Sequence, residues 1–367
     1  MSISFKIPFY AKIALIFISC YALIFTMNIG QEIIIPIVYA LIIAILLNPL
    51  VNFFMRFRIN KLFSISIVML FTTIILFGII YLVSTQLSSF YEKYPILVEK
   101  FNTKTNEFIH WFSVKFNIKD STVNSWITDT KKESIKNFKI GERLTDVGHL
   151  IVNGLLLPVY IFMILYYKSL LLEFISKLFR MEHHEAVIEV LVNTKKIIQS
   201  YLSGLFIEML IIAVMNTAGL FILGIEYAII LGIISAVLNI IPYLGGIIGV
   251  VIFMLVALLT KEPIYMVYVA ILYSVIQFID NNYIIPKVVS SRVKINALVS
   301  VIVVLIGGAI WGIPGMFLSI PLTAIVKVIF DHIDSLKPWG FLLGNIVPTS
   351  SKFSFRKIIS KKVTLKI

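Results

Sequence analysis

The chain has a single cysteine, Cys20, among 367 residues, and only 14% of its residues are charged. One thiol inside an apolar run excludes a disulfide framework and a cysteine-based metal site. A GxxxxGK[ST] phosphate loop is missing, which removes the usual route to direct ATP use. HExxH spacing is missing too: His183 and His184 of MEHHE are adjacent rather than one helical turn apart, so they read as a solvated loop and no metal site is expected. No serine has a histidine partner in a nucleophile-elbow context, and no acid/base pair stands at matched depth, so the chain is not expected to be an enzyme. Acids are scarce, with 19 Asp and Glu against 32 Lys and Arg, a net charge of +13. That excess collects in loops and a tail rather than in a folded basic domain. Nucleic acid is therefore not an expected partner, whereas anionic lipid is.

What the chain does have is apolar length. Hydrophobic residues make up 59% of it and the mean hydropathy is +0.98, values that a water-facing surface could not carry. The expected fold is an all-α polytopic membrane bundle of about six to eight membrane segments. The first apolar run, 13–29, follows Lys6 and Lys12 in the manner of a signal sequence, but it is long and lacks a small-residue cleavage pattern, so it reads as a retained span. Further spans read off at 33–54, 63–83, 150–167, 201–223 and 264–285. Pro36, Pro49 and Pro158 are expected to kink or end their helices.

Two uncharged stretches, 227–260 and 295–326, are each too long for one span of about 20 residues and too short for two spans and a turn. Each is interrupted near its midpoint by Pro and Gly: at IPYLGG by Pro242, Gly245 and Gly246, and around GGAIWGIPG by Gly307, Gly308, Gly312, Pro314 and Gly315. The reading is a broken helix in each. Non-helical chain at membrane depth persists only where protein or a water-filled cavity surrounds it, and secondary transporters hold substrate at such breaks. Pro286 and Pro321 read as further helix breaks.

Lys and Arg in short loops set the orientation. Lys6 and Lys12, then Arg56, Arg58 and Lys61, then Lys168, Lys177, Arg180, Lys195 and Lys196 mark one face, and Glu32 and Glu226 the other. Both termini are therefore expected in the cytoplasm. If both long stretches cross fully, Lys287, Arg292 and Lys294 fall outside. If each returns to its own side as a re-entrant hairpin, those three cations fall inside, and the opposed-hairpin arrangement fits the charges better. The expected division is a three-span region at 1–85, an extracytoplasmic amphipathic helical segment at 86–148, a core membrane region at 149–335 and a basic cytoplasmic tail at 336–367.

Three runs in the second half, IIPYLGGIIG (240–249), FIDNNYIIPKVVSSRV (278–293) and IGGAIWGIPGMFLSIPLTA (306–324), resemble, in this order and spacing, the autoinducer-2 exporter family of bacterial permease-like proteins. The first 150 residues match that family in layout only. The resemblance implies a multispanning exporter driven by an ion gradient, with a small polar signalling molecule as solute, or alternatively a sodium(lithium)/proton antiporter. It also implies a homo-oligomer. No cofactor is expected beyond coupling to protons or sodium ions. Four positions depart from the family pattern: Gly246 stands where many members have Pro, Leu205 where they have Gln, and Asn296 and Ala297 where they have His-Pro. A non-transporting membrane scaffold or receptor is the alternative of a different class.

Polar groups inside apolar runs are the candidate substrate or ion path, since a buried carboxylate is costly unless protonated, paired or wet. Glu208 lies in YLSGLFIEMLIIAVMN with apolar residues on both sides. Gln277, Asp280, Asn281 and Asn282 offer oxygen ligands and amides just before Pro286. Asn153, Asn216 and Asn239 read as interhelical hydrogen-bond partners, Asn239 beside the first break.

Overall fold

A computed structural model describes residues 8–116, 156–241, 244–288 and 295–345. The readings at Pro242, Asn153, Arg292, Lys294 and the part of the basic tail after 345 lie outside the described residues. Among the described residues the chain is helical throughout, apart from one isolated antiparallel bridge between Ile295 and Gly344. The opening helices are α1 (Phe9–Ile29), α2 (Gln31–Arg56) and α3 (Lys61–Phe116). After them come α4 (Leu156–Tyr166) and α5 (Lys168–Leu178), meeting at a 64° bend, and α6 (His184–Ile222). The remaining elements are α7 (Ala228–Asn239), α8 (Leu244–Thr260), α9 (Ile264–Ile279), a π turn (Asp280–Ile284), α10 (Ile285–Val288), α11 (Ala297–His332) and α12 (Lys337–Leu343). Among the described residues six helices are long and apolar enough to cross a bilayer, and the bent α4–α5 pair makes a seventh if counted as one span. This is a polytopic helical bundle. Its outer faces carry large exposed apolar side chains such as Phe17, Phe71, Phe77 and Ile222, the surface that lipid rather than water would cover.

Neither Pro36 nor Pro49 ends α2, which runs unbroken through both. Pro49 has no N–H to donate to the carbonyl of Ile45 four residues back. That carbonyl is satisfied from another helix, since Gln199 Nε2 of α6 donates to it at 2.7 Å. Tertiary structure thus repairs the defect that would otherwise kink the span.

Helix α3 does not stop at the membrane boundary. Its 56 residues extend roughly 84 Å at 1.5 Å each, so it crosses and continues across position 85 into the segment read as extracytoplasmic. There Glu99, Lys100 and Lys104 line a groove shared with Leu258, Thr260 and Lys261 at the end of α8.

Both long uncharged stretches fold back on themselves. In the first, α7 and α8 share an apolar layer in which Ile230 and Leu231 meet Phe253, Val256 and Ala257, pairing early residues of one arm with late residues of the other. The reversal is tight: a Cβ on Gly245 would overlap the carbonyl of Leu238. In the second, the only non-helical residue inside α11 is Gly312, at φ 62° and ψ −143°, a conformation that favours glycine. Gly307 and Gly315 lie on facing arms of this hairpin, so close that a Cβ on either would overlap the other's backbone, and Gly308 lies against Met316. Gly307 and Gly308 are therefore arm-packing residues rather than part of the tip. The break expected at Pro321 is not there, because α11 continues through buried Pro321 to His332. The start of this hairpin is held by Asn296, whose Oδ1 accepts from Val299 N at 2.9 Å while its Nδ2 donates to the carbonyls of Leu342 and Gly344 at 2.7 and 3.0 Å.

Candidate functional site

The first break stands beside the two acids of the core. Glu208 is 5% exposed at mid-length of α6, and Asp280, fully buried, opens the π turn after α9. Asn239, the last residue of α7 before the break, joins them. Its Nδ2 donates to Glu208 Oε1 at 3.0 Å and to Asp280 Oδ2 at 2.8 Å, so one amide nitrogen spends both hydrogens on two carboxylates. The second oxygen of Asp280, Oδ1, is buried with no hydrogen-bond partner. No Lys or Arg pairs with either acid among the described residues. Charge at this point is compensated only by a proton or a cation from outside the described side chains.

The π turn accounts for the way Asp280 is presented. An α-helix that widens by one residue rotates the side chains after it, and single π turns recur where function needs such re-aiming. Asp280 points inward, whereas Asn281 and Asn282 fall on the exposed side, where Asn282 Nδ2 donates back to the Phe278 carbonyl at 2.8 Å. Those two amides are not part of the acidic cluster. Pro286, expected as a break, follows the turn inside α10, so the irregularity lies before the proline.

A second polar group continues from the acids along the same faces of α6, α7 and α9. Asn216 stands two turns beyond Glu208 and donates from Nδ2 to Ser235 Oγ at 3.2 Å, leaving its buried Oδ1 without a partner. Ser235 and Asn239 are one turn apart on α7, as are Tyr273 and Gln277 on α9. Helix α8 lines this track with backbone: a Cβ on Gly249 would lie 2.8 Å from the Tyr273 hydroxyl, and one on Gly246 would lie 3.4 Å from Gln277 Oε1. Beyond Asn216 the track is closed by Leu220, Phe253 and Val269, with Phe253 and Tyr273 meeting edge to face at 5.5 Å. Ser235 and Tyr273 escaped notice in the sequence, although their one-turn spacing from Asn239 and Gln277 was the available signal.

The second break is of another kind. Trp311, just before Gly312, is buried among Ile42, Tyr201, Leu202, Leu205 and Leu318, with Ile240 of the first break at the edge of the same cluster. Its indole Nε1 donates to the carbonyl of Met27 in α1 at 2.9 Å. Tyr39 of α2 donates from its hydroxyl to the carbonyl of Pro314 at 3.2 Å and stacks on Phe317 at 5.6 Å. Leu205, which stands where the family pattern has a polar residue, is part of this apolar packing.

Residues 13–335 match the family described as AI-2E family transporter. The chain belongs to that family. The three motifs that carried the resemblance lie at the two breaks and at the π turn, the parts of the fold where helix geometry departs from regularity. Among relatives, "Putative transport protein YrrI" of Bacillus subtilis (strain 168) is 35% identical over 132 residues, 36% of this chain and 37% of that protein. "Putative transport protein YueF" of the same organism is 24% identical over 81% of this chain and 83% of its own length. "AI-2 transport protein TqsA" of Escherichia coli (strain K12) is 23% identical over 86% of this chain and 91% of its own length. The family is one of transporters and permeases rather than of enzymes, and the chain is accordingly a multi-pass membrane protein of a bacterial transporter family.

Proposed function

We propose that the protein is a secondary transporter of the bacterial inner membrane that exports a small polar solute, such as a quorum-sensing signal, in exchange for ions. The Glu208–Asn239–Asp280 cluster is the site where ion and solute are handled. One observation carries this: two buried carboxylates share a single amide donor at the mouth of a broken helix, with one Asp280 oxygen still free to accept. Such a site has an open demand for a proton or a small cation and a neutral hydrogen-bonding surface beside it, along Gln277, Tyr273, Ser235 and Asn216. Two buried acids with no Lys or Arg partner among the described residues equally favour a second reading, sodium(lithium)/proton antiport with no organic solute.

The re-entrant arrangement is part of the proposal. Arms of 12 and 17 residues reach roughly 18 and 26 Å, short of a bilayer core of about 30 Å. The groove that the outer part of α3 shares with Leu258, Thr260 and Lys261 supports a first hairpin whose two ends both lie on the outer side. The second then opens to the cytoplasm, with both termini there as well. The division into a three-span region at 1–85, an outer segment at 86–148, a core at 149–335 and a tail at 336–367, and assembly as a homo-oligomer, belong to the same proposal.

Flux in proteoliposomes under imposed proton or sodium gradients tests the site. Glu208→Gln and Asp280→Asn keep the shape of the cluster and each should lower flux by at least tenfold with unchanged assembly; full flux in either variant sinks the assignment. Independently, a cysteine introduced at Thr260 in a Cys20→Ser background should react with an impermeant maleimide from the outer side. Labelling only from the inside would replace the hairpin by full crossings.

A further inference from the structure

Four hydrogen-bond donors from α2, α3, α5 and α6 converge with one acceptor side chain among them: Lys61 and Lys168 open α3 and α5, Asn48 lies two turns before the end of α2 and Lys195 three turns into α6. Lys61, at the start of α3, donates from Nζ to the carbonyl of Tyr166 at 2.6 Å. Lys168, just past the 64° bend, donates from Nζ to Asn48 Oδ1 at 3.1 Å. Lys195 stands one turn before Gln199, whose partner Ile45 is one turn before Asn48, and Lys61 and Lys195 are the charged groups whose field reaches Lys168. Asn48 itself is 6% exposed, and its Nδ2 is buried with no hydrogen-bond partner. The lysine fixes that amide's orientation, since the reverse would set two donors face to face.

Among the described residues no carboxylate pairs with these three lysines: Glu173 takes Lys177 at 2.9 Å and Glu189 faces His332. Clustered like charges repel, and a buried N–H without an acceptor is costly; an anion carrying several acceptor oxygens relieves both at once. The depth matches a headgroup. Helix α5 leaves the span at the bend with Leu170, Leu172 and Phe174 exposed, the character of a helix lying at the interface, and Arg56, Arg58 and Lys196 sit on the same rim.

We propose that Lys61, Lys168, Lys195 and the Asn48 amide form a pocket for the headgroup phosphate of an anionic phospholipid. The inference is independent of the transport reading. It is tested on the full-length protein, delipidated in detergent, by melting temperature with added phosphatidylglycerol, phosphatidylcholine or inorganic phosphate. Phosphatidylglycerol should raise the melting temperature, and the other two should not. The K61Q/K168Q/K195Q variant should lose more than half of that rise, whereas R56Q/R58Q/K196Q, with the same change in net charge on the same rim, should keep it. Asn48→Asp, which supplies the lysines with an internal anion, should melt higher without lipid and respond little to it, a readout that stands even if the triple variant folds poorly. Equal losses in both triple variants would reduce the effect to general charge attraction, and an equal rise with inorganic phosphate would assign the pocket to the free ion; either result overturns the proposal.

Discussion

The two hairpins begin from the same sequence device and end in different chemistry. Each is an uncharged stretch interrupted by proline and glycine, and each folds back where glycine lets backbone approach backbone, at Gly245 against Leu238 and at Gly315 against Gly307. At the first, helical order stops next to Glu208, Asn239 and Asp280, and the space is polar. At the second, the break is plugged by Trp311 and tied to α1 and α2 through the carbonyls of Met27 and Pro314. A broken helix is therefore not in itself a binding site. It is a candidate for one where neighbouring helices bring groups that water or ions would satisfy, and it is a structural joint where they bring apolar side chains and spare carbonyls.

The sharpest way to break this contrast is functional. Glu208→Gln or Asp280→Asn at the first hairpin should cost at least tenfold in flux, while Trp311→Phe at the second should leave flux within about threefold, because its hydrogen bond to Met27 is a structural contact of about 0.5–1.5 kcal/mol. Comparable flux losses on both sides would mean that the second break also takes part in transport. Stability should behave in the opposite way, treating the two alike. Gly245→Val and Gly315→Val force side chains into backbone and should each destabilise by about 1–3 kcal/mol or prevent assembly, read as lost monodispersity or a lower melting temperature. An effect no larger, and without loss of assembly, is expected outside the hairpins, at the proline repaired by a neighbour. Gln199→Leu should cost about 1–3 kcal/mol by leaving the Ile45 carbonyl unsatisfied, and the loss should shrink in a Pro49→Ala background, where the helix regains its own N–H; equal losses in both backgrounds would remove Gln199 from that role. The smallest expected change is the stability shift of Trp311→Phe itself.

Several spans of the bundle were legible beforehand because span length is a property of short windows of sequence. The expected spans at 13–29, 33–54 and 264–285 fall on α1, on α2 and on α9 with its π turn, and the motif resemblance led to the family that residues 13–335 match. Irregularities were harder to read. Pro49 was expected to kink or end its helix and Pro321 to break one, yet both helices run on, since a helix end depends on whether another helix supplies the missing partner. The π turn at Asp280 and the separation of Asp280 from Asn281 and Asn282 follow from the widening of one turn, which no periodicity in DNNY announces. Likewise α6 starts at His184 rather than near Tyr201, because polar residues can continue a helix beyond the membrane.

From the sequence by itself came the solvent, a range of about six to eight segments and the two places where helices must break, because each is fixed by local hydrophobic length and by the backbone limits of proline and glycine. Only the tertiary structure decided which polar groups meet. Glu208, Asn239 and Asp280 are 31 and 41 residues apart along the chain, and their meeting depends on how three helices rotate and pack around the first break. That rotation is set by many small contacts such as Leu272 against Gly219 and Thr217 against Gly232, none of which leaves a mark that can be read along the chain.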